Sequence, residues 1–173
     1  MANLLFRKRI PAGLMLLALL AGCAPQVIRY TAPPKVVLPE ATPGNSADLI
    51  FINASESGTL VPTIYPAARR CAAPQTLSRV QRLGSAVAAV PAGGEEIAVS
   101  LAWTGGLGAE TCTTAGMFTP EKGKKYSVAV SLRGGYCHLV VRDATTSAGD
   151  DLSPQIRDLR GLPRDWRKTQ CGS

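Results

Sequence analysis

Few residues of this 173-residue chain have side chains suited to acid–base or nucleophilic chemistry. His138 is the only histidine, and it follows Cys137 directly. Neighbouring residues in a strand point to opposite faces, so we expect this pair to lie apart and His138 to face solvent. The acidic pairs at 95–96 and 150–151 lie in turn-like segments, where carboxylates are normally solvated. The sequence therefore predicts no catalytic residue and a protein that is not an enzyme.

Metal, phosphate and nucleic-acid binding also find little support in the residue pattern. No Cys-x-x-Cys is present, which argues against a zinc knuckle and thioredoxin-like redox chemistry. A calcium site around Asp150 is the one metal alternative. The glycines at 93–94 and 105–108 precede no phosphate-binding pattern, so hairpin turns explain them. The formal net charge is +7, and part of it belongs to the N-terminal signal at 7–9, which leaves too little to indicate nucleic acid. We predict no cofactor and no metal.

The N-terminal segment has the three parts of an export signal. A basic cluster at 7–9 precedes an apolar run at 14–21, which is shorter than the ~20 residues that a spanning helix needs. The run ends in Leu-Ala-Gly-Cys, with Cys23 last. This ending resembles the lipobox of bacterial lipoproteins. The resemblance implies removal of residues 1–22, diacylation of the Cys23 thiol and acylation of the freed amine; an ordinary secretory signal with a coincidental cysteine is the alternative.

The lipid and the residue after it indicate where the protein is held. Three acyl chains, each contributing ~0.8 kcal/mol per buried methylene, would hold a protein on a membrane essentially permanently. In the enterobacterial sorting pattern, an Asp after the lipidated cysteine retains a lipoprotein at the inner membrane, whereas this chain has Ala24. We therefore expect a lipid-anchored protein on the periplasmic face of the outer membrane, with the inner membrane as the less favoured alternative.

Residues 23–47 carry the lipidated cysteine and a proline-rich tether. The prolines are Pro25, Pro33, Pro34, Pro39 and Pro43. Such a segment predicts an extended, semi-rigid spacer, which at ~3.1 Å per residue would lift a domain up to ~70 Å from the lipid. An alternative is that Val36, Val37 and Leu38 add an edge strand to the domain.

Residues 48–144 show the pattern of short strands separated by Gly and Pro turns. The chain has 17 glycines and 13 prolines and only 5% aromatic residues, which argues against a helical bundle. Large and small residues alternate at 97–103 and at 126–132. Further strands are predicted at 49–52, covered on both faces, at 59–65 on an edge because of Pro62, and at 112–118 and 137–142. Residues 76–90 fit either a helix or strands.

The turn between two predicted strands resembles a known family pattern. The sequence F-T-P-E-K-G-K-K-Y at 118–126, preceded by V-P-A-G at 90–93, is similar to the F-T-P-x-x-G-x-x-Y pattern of small β-sandwich domains in bacterial envelope lipoproteins. There, one cysteine commonly precedes the pattern and another follows it, as Cys112 and Cys137 do here. Pro120 would start the turn and Gly123 would take the positive φ. The resemblance implies an all-β, small antiparallel sandwich, immunoglobulin- or transthyretin-like.

Four cysteines remain once Cys23 is lipidated. An even number in an exported protein predicts two disulfides, and we prefer Cys112–Cys137 and Cys71–Cys171. In a simple meander, the first pair would lie two strand spacings apart, ~9.5 Å, whereas a disulfide needs Cα atoms within ~7 Å. The pairing therefore requires strand 137–142 to cross elsewhere or the strand ends to splay.

Residues 145–173 form a polar, basic tail. Ser153-Pro154 is a good helix start and Gly161 a good stop, which predicts one short C-terminal helix.

The candidate binding surface combines a lysine cluster with an aromatic residue. Lys122, Lys124 and Lys125 share one turn, which suits anionic envelope polymers or lipid headgroups, or is simply a solvated loop. Trp103 is a core residue or, alternatively, a sugar platform.

The features together predict a non-enzymatic structural or interaction module, held on a membrane by its lipid and contacting an envelope protein or polymer. One alternative is a ligand-binding module for glycan, peptidoglycan or a metal ion. Another is a hydrolase, which would need His138 buried beside a nucleophile.

Overall fold

The computed structural model describes residues 33–67, 73–105, 110–146 and 156–158. These ranges consist of strands, turns and irregular chain. Among them, no helix is long and apolar enough to cross a membrane.

Several predicted features lie outside the described residues. They are the export signal, Cys23 with Ala24, the tether up to residue 32, the cysteines Cys71 and Cys171, and most of the C-terminal tail.

The strands form two five-stranded sheets. In chain order the strands are β1 (Lys35–Val37), β2 (Ser46–Asn53), β3 (Thr59–Tyr65), β4 (Gln75–Thr76), β5 (Gly84–Pro91), β6 (Ile97–Thr104), β7 (Thr111–Phe118), β8 (Lys125–Arg133), β9 (Tyr136–Asp143) and β10 (Arg157–Asp158). Sheet A has the order β1-β5-β2-β8-β9, and sheet B has the order β10-β7-β6-β3-β4. The inward faces of both sheets share one apolar core, so the predicted all-β sandwich is confirmed.

The core follows from the alternation of large apolar residues along the strands. In β6, Ile97, Val99 and Leu101 are buried, as the period-two pattern predicts. In β2, Leu49 and Phe51 are buried in the same way. The prediction that β2 is covered on both faces is wrong, because Ile50 is only half-buried and Ile52 is exposed on the outer face.

Two strand pairs are parallel rather than antiparallel. β2 pairs antiparallel with β5 but parallel with β8, and β1 pairs parallel with β5 through Lys35–Val37. Leu38 follows β1 and is buried, with its N–H donating to the carbonyl of Ala89 at 3.1 Å. The alternative prediction of an edge strand after Pro34 is therefore what the structure shows, and the spacer interpretation does not hold for residues 35–38.

The ambiguous residues 76–90 contain no helix, because a turn at 82–83 leads into β5 at Gly84, so the helical alternative is wrong. Leu77 donates its N–H to the carbonyl of Pro62 at 2.9 Å, and Val80 forms a β-bridge with Leu60. These contacts bury Leu77 and Val80 beside β3 and satisfy backbone groups that a helix would have left open there. β3 is therefore the second strand of sheet B and not its edge, so the edge position predicted from Pro62 is wrong, although only the two-residue β4 and the segment at 77–80 cover β3 on that side.

The described part of the predicted C-terminal helix is a strand. Arg157–Asp158 pairs antiparallel with Gly116–Met117 of β7, so the helix prediction is wrong at these residues, and its other residues lie outside the described ranges. A Cβ atom at Gly116 would lie 2.6 Å from Cγ2 of Ile156. The absence of a side chain at Gly116 therefore allows the tail to approach β7 closely.

Candidate functional site

The predicted Cys112–Cys137 disulfide is present and joins the two sheets. Cys112 lies in β7 of sheet B and Cys137 in β9 of sheet A, with their Cα atoms 6.1 Å apart. The simple meander is wrong, because the chain crosses from sheet B to sheet A between Phe118 and Lys125. This crossing removes the two-strand separation that would have prevented the bond.

The lysine turn is built around one buried carboxylate. Lys124 Nζ lies 2.5 Å from Asp143 Oδ2, and the N–H of Thr145 donates to Asp143 Oδ1 at 2.8 Å. The hydrogen bond from Lys124, together with those from Thr145, lowers the pKa of Asp143 from its ordinary value of 3.8 to about 2. The same ion pair raises the pKa of Lys124. Lys124 therefore stabilises the turn through its ion pair with Asp143, and its charge is used within the fold rather than for an external ligand.

The aromatic residues of the F-T-P-x-x-G-x-x-Y turn pack beneath it. The rings of Phe118 and Tyr126 meet edge to face with centroids 5.4 Å apart. The hydroxyl of Tyr126 accepts a hydrogen bond from the N–H of Glu121 at 3.0 Å, and burial raises the pKa of Tyr126. Gly123 has φ +73°, as predicted, and donates its N–H to Ser46. The turn is a structural element that closes this end of the sandwich.

The candidate lysines and Trp103 are not brought together. Lys122 lies against Gly93 and Lys125 is exposed in the first position of β8. Trp103 is opposite Cys112 in the β6–β7 ladder, whereas Ile97 at the other end of β6 is opposite Phe118. At ~3.4 Å per residue, Trp103 is therefore about 20 Å from the lysine turn. Its side chain is only 8% exposed, which fits the core-residue alternative.

An exposed apolar cluster surrounds the end of the sandwich where Trp103 lies. β2 and β8 end there, and β5 and β9 begin there, as the pairs Asn53 with Gly84 and Arg133 with Tyr136 show. Four large residues of this cluster are exposed: Ile52 36%, Leu83 66%, Leu132 53% and Tyr136 72%. We call these four residues, together with the cleft that Ile52 and Leu132 help to line, the apolar end.

The cleft at the apolar end opens between the two sheets and has a volume of about 370 Å³. Its lining comprises Ile52, Asn53, Ala54, Ser55, Leu60, Trp103, Val130, Ser131 and Leu132. The buried amide of Asn53 is used within the fold, because it donates to the carbonyls of Gly58 (3.3 Å) and Val80 (3.2 Å) and accepts from the N–H of Ser55. The cleft therefore presents mainly apolar surface.

Leu83 stands out in this cluster because of its backbone. Its φ is 51°, in the left-handed region, and its N–H donates to the carbonyl of Ser55 at 3.3 Å. This conformation costs roughly 1–2 kcal/mol for a residue with a side chain. The fold accepts that cost and still exposes the leucine to solvent, which marks the position as a candidate for function.

Sequence reasoning missed the apolar end for two reasons. Leu132 was expected to point inward as the last member of the alternation in 126–132, but it lies beyond the reach of the core where the strand ends. Leu83 fits the helical spacing of the apolar residues in 76–90, so the sequence contained no indication that it lies in a turn. The neighbouring glycines at 134–135, which form the β8–β9 turn, were the signal available for Leu132.

The remaining candidates for chemistry do not converge. His138 is half-exposed on the outer face of sheet A, opposite in direction to Cys137 as predicted, and its ladder partner is Ser131. Across the described ranges, no group of three or more His, Cys, Asp or Glu side chains could hold a metal ion. Asp150 lies outside these ranges.

The fold and its inter-sheet disulfide define the chain as a disulfide-bridged all-β sandwich domain. Comparison with known proteins adds no family, because no family model matches the sequence and no curated protein matches it significantly.

Proposed function

We propose that the chain is a lipid-anchored envelope lipoprotein on the periplasmic face of the outer membrane. The lipobox ending at Cys23 and the residue Ala24 carry the anchor and the location. The Cys112–Cys137 disulfide supports this proposal, because disulfides persist in oxidising compartments such as the periplasm.

The sandwich is proposed to act as a non-enzymatic interaction module. The observation that carries this proposal is the apolar end, where four large apolar side chains are exposed and two of them, Ile52 and Leu132, line a cleft. Contiguous exposed apolar surface on a soluble domain typically marks an interaction site. The catalytic alternative lacks support in the described ranges, where Cys137 is disulfide-bonded and His138 lies on the opposite face of β9 from it.

Labelled palmitate tests the anchor directly. Wild-type protein is expected to incorporate the label and to fractionate with the outer membrane, whereas Cys23→Ser removes the label. A Cys171→Ser variant is the control and keeps the label. Ala24→Asp is expected to move the labelled protein to the inner membrane. A membrane-bound, unlabelled wild type would contradict the anchor.

Photo-crosslinking in intact cells tests the interaction surface. A photoreactive residue at Leu132 is expected to capture an envelope component, lipid or protein, because this position is exposed within the apolar end. The control is the same residue at Val37, which is 61% exposed in the edge strand β1. Equal capture at both positions would contradict a specific role for the apolar end.

A ligand-binding module is the second candidate, and the cleft favours it. Its volume of about 370 Å³ lies within the ~300–1,000 Å³ range of small-molecule pockets. The lining suits an apolar group rather than a glycan. Trp166 is the second of the two tryptophans in the sequence, so Trp166→Phe leaves Trp103 as the only tryptophan fluorophore. Titration of this variant with lauric acid tests the candidate: a saturable change in Trp103 fluorescence supports it, and an unchanged signal contradicts it.

A further inference from the structure

The chain enters the sandwich from the apolar end. β1 runs parallel to β5, and β5 begins at Gly84, directly after Leu83. Lys35 lies level with Val87 in this ladder, so the residues before it lead back towards the start of β5. The apolar end is therefore the end of the sandwich that lies nearest, along the chain, to the N-terminal lipid.

The length of chain before β1 limits how far the sandwich can be from the lipid. Residues 24–32 separate Cys23 from Pro33, the first described residue. At no more than ~3.6 Å per residue, this segment spans at most about 36 Å. The pairing of β1 with β5 makes the tether shorter than the predicted spacer, because residues 35–38 belong to the sandwich.

We propose that the apolar end rests on the bilayer surface that holds Cys23, with its exposed side chains at the boundary between headgroups and acyl chains. This inference rests on the lipid anchor proposed above and names the partner of the interaction surface. The occupant is the lipid bilayer itself rather than a soluble ligand or a second protein.

The side chains of the apolar end suit a membrane interface. Leu83 and Leu132 supply aliphatic surface, and Tyr136 is of the amphipathic aromatic type that is enriched at the headgroup level. Arg82 and Arg133, both exposed, directly flank the two leucines in sequence. Long arginine side chains can lie along apolar surface while their charged heads reach the headgroups.

The charged side chains near the apolar end nearly cancel, so the contact with the membrane depends mainly on apolar surface. Arg79, Arg82 and Arg133 are exposed at this end, and Glu56 and Glu110 are exposed in the loops there. Three basic and two acidic side chains leave a formal charge of only +1. Attraction of anionic lipid by net charge is therefore a minor contribution, and the contact is expected to change little with added salt.

The backbone of Leu83 fits the same role. A left-handed residue of this kind would be more stable as Gly or Asn, yet the chain has a leucine that is 66% exposed. The presence of leucine at this position is explained if the function requires an apolar side chain that projects from the turn.

Fluorescence quenching by bilayer lipid tests the orientation. Lipidated protein is reconstituted into vesicles of phosphatidylethanolamine and phosphatidylglycerol that contain phospholipids brominated on the acyl chains. In a background that replaces both native tryptophans (Trp103→Phe with Trp166→Phe), Tyr136→Trp places the sole tryptophan probe at the apolar end, and Val37→Trp places it elsewhere at similar exposure. The Tyr136→Trp probe is expected to be quenched several-fold more strongly. Equal quenching at both positions, or none at Tyr136→Trp, would overturn the inference.

A matched pair of double variants tests which residues make the contact. Leu83→Asp with Leu132→Asp is expected to reduce the quenching of Tyr136→Trp to the level of the Val37→Trp probe. Val36→Asp with Val37→Asp is the control, because these residues are 44% and 61% exposed, and it leaves the quenching unchanged. Circular dichroism confirms that both variants are folded. An unchanged signal in the first variant would overturn the inference.

Two readouts separate this inference from the anchor on which it rests. Palmitate label on every variant shows that the anchor is intact. A labelled wild type with an unquenched Tyr136→Trp probe overturns the docking of the apolar end alone, whereas a wild type without label overturns both proposals. Loss of quenching on addition of salt would also overturn the inference, because the contact would then be electrostatic.

Discussion

Cys112 of β7 and Cys137 of β9 connect the two sheets across the core, with their Cα atoms 6.1 Å apart. The bond closes a loop with a sequence separation of 25 residues that contains the crossing from one sheet to the other. It therefore fixes two layers that otherwise meet through packing of their inward side chains.

Removal of this bond is expected to lower the free energy of unfolding. Cys112→Ala with Cys137→Ala should cost roughly 2–4 kcal/mol, because the unfolded chain gains the freedom that the closed loop denies it. Urea unfolding of the oxidised proteins measures the difference. The single variant Cys112→Ala should be no more stable than the double variant. A double variant as stable as wild type would contradict a stabilising role.

The pairing of Lys124 with Asp143 predicts a specific pH dependence of stability. The pKa of Asp143 is lowered from 3.8 to about 2 in the folded chain, so the unfolded chain binds the proton first as the pH falls. The stabilisation is present above pH 3.8 and is lost as the pH falls through about 2. Asp143→Asn should flatten the stability profile in this window. Lys124→Met, which removes the partner, should flatten it in the same direction, and a profile identical to wild type would contradict the assignment.

Thr114 offers a way to stabilise the sandwich. Its hydroxyl is buried and has no hydrogen-bond partner among the described residues, and Thr114 is 2% exposed. Replacement by the isosteric valine removes the cost of the unsatisfied group, so Thr114→Val should raise the free energy of unfolding by about 1 kcal/mol. Thr113→Val, at the exposed neighbouring position, is the control and should change it little. Chemical denaturation measures both variants.

The left-handed backbone of Leu83 is expected to lower the stability of the fold, although its exposed side chain serves the proposed membrane contact. Leu83→Asn relieves the left-handed backbone at φ 51° and should stabilise the fold by about 1 kcal/mol. Leu132→Asn changes the same surface at a residue whose φ is not positive, so it should not raise the stability of the fold. Thermal unfolding compares the two. A destabilised Leu83→Asn would show that the leucine packs against the fold rather than projecting from it.

Local patterns in the sequence predicted much of this structure. The alternation in β6 and β8 required two half-buried strands, and the F-T-P-x-x-G-x-x-Y turn joins β7 to β8 as the resemblance implied. The Cys112–Cys137 pair was also identified correctly. These features depend on side-chain direction and turn chemistry, which neighbouring residues determine.

Strand partners and exposed ends were harder to predict because they depend on distant parts of the chain. The short β1 finds its partner β5 about fifty residues further on, and no local pattern specifies that choice. Leu132 continues a buried pattern by one step beyond the core, and only the length of its neighbouring strands determines that it is exposed. The apolar end therefore became visible only from the assembled sheets.

The position of β2 in sheet A affects the order in which the sandwich can assemble. β2 ends at Asn53, but its neighbours β5 and β8 begin only at Gly84 and Lys125. Both backbone edges of this apolar strand must wait for segments made much later, and such distant pairings close slowly. A nascent chain of this sequence therefore carries an open edge of β2 until β8 (Lys125–Arg133) has been made, and such an edge can pair with other chains before the sheets close.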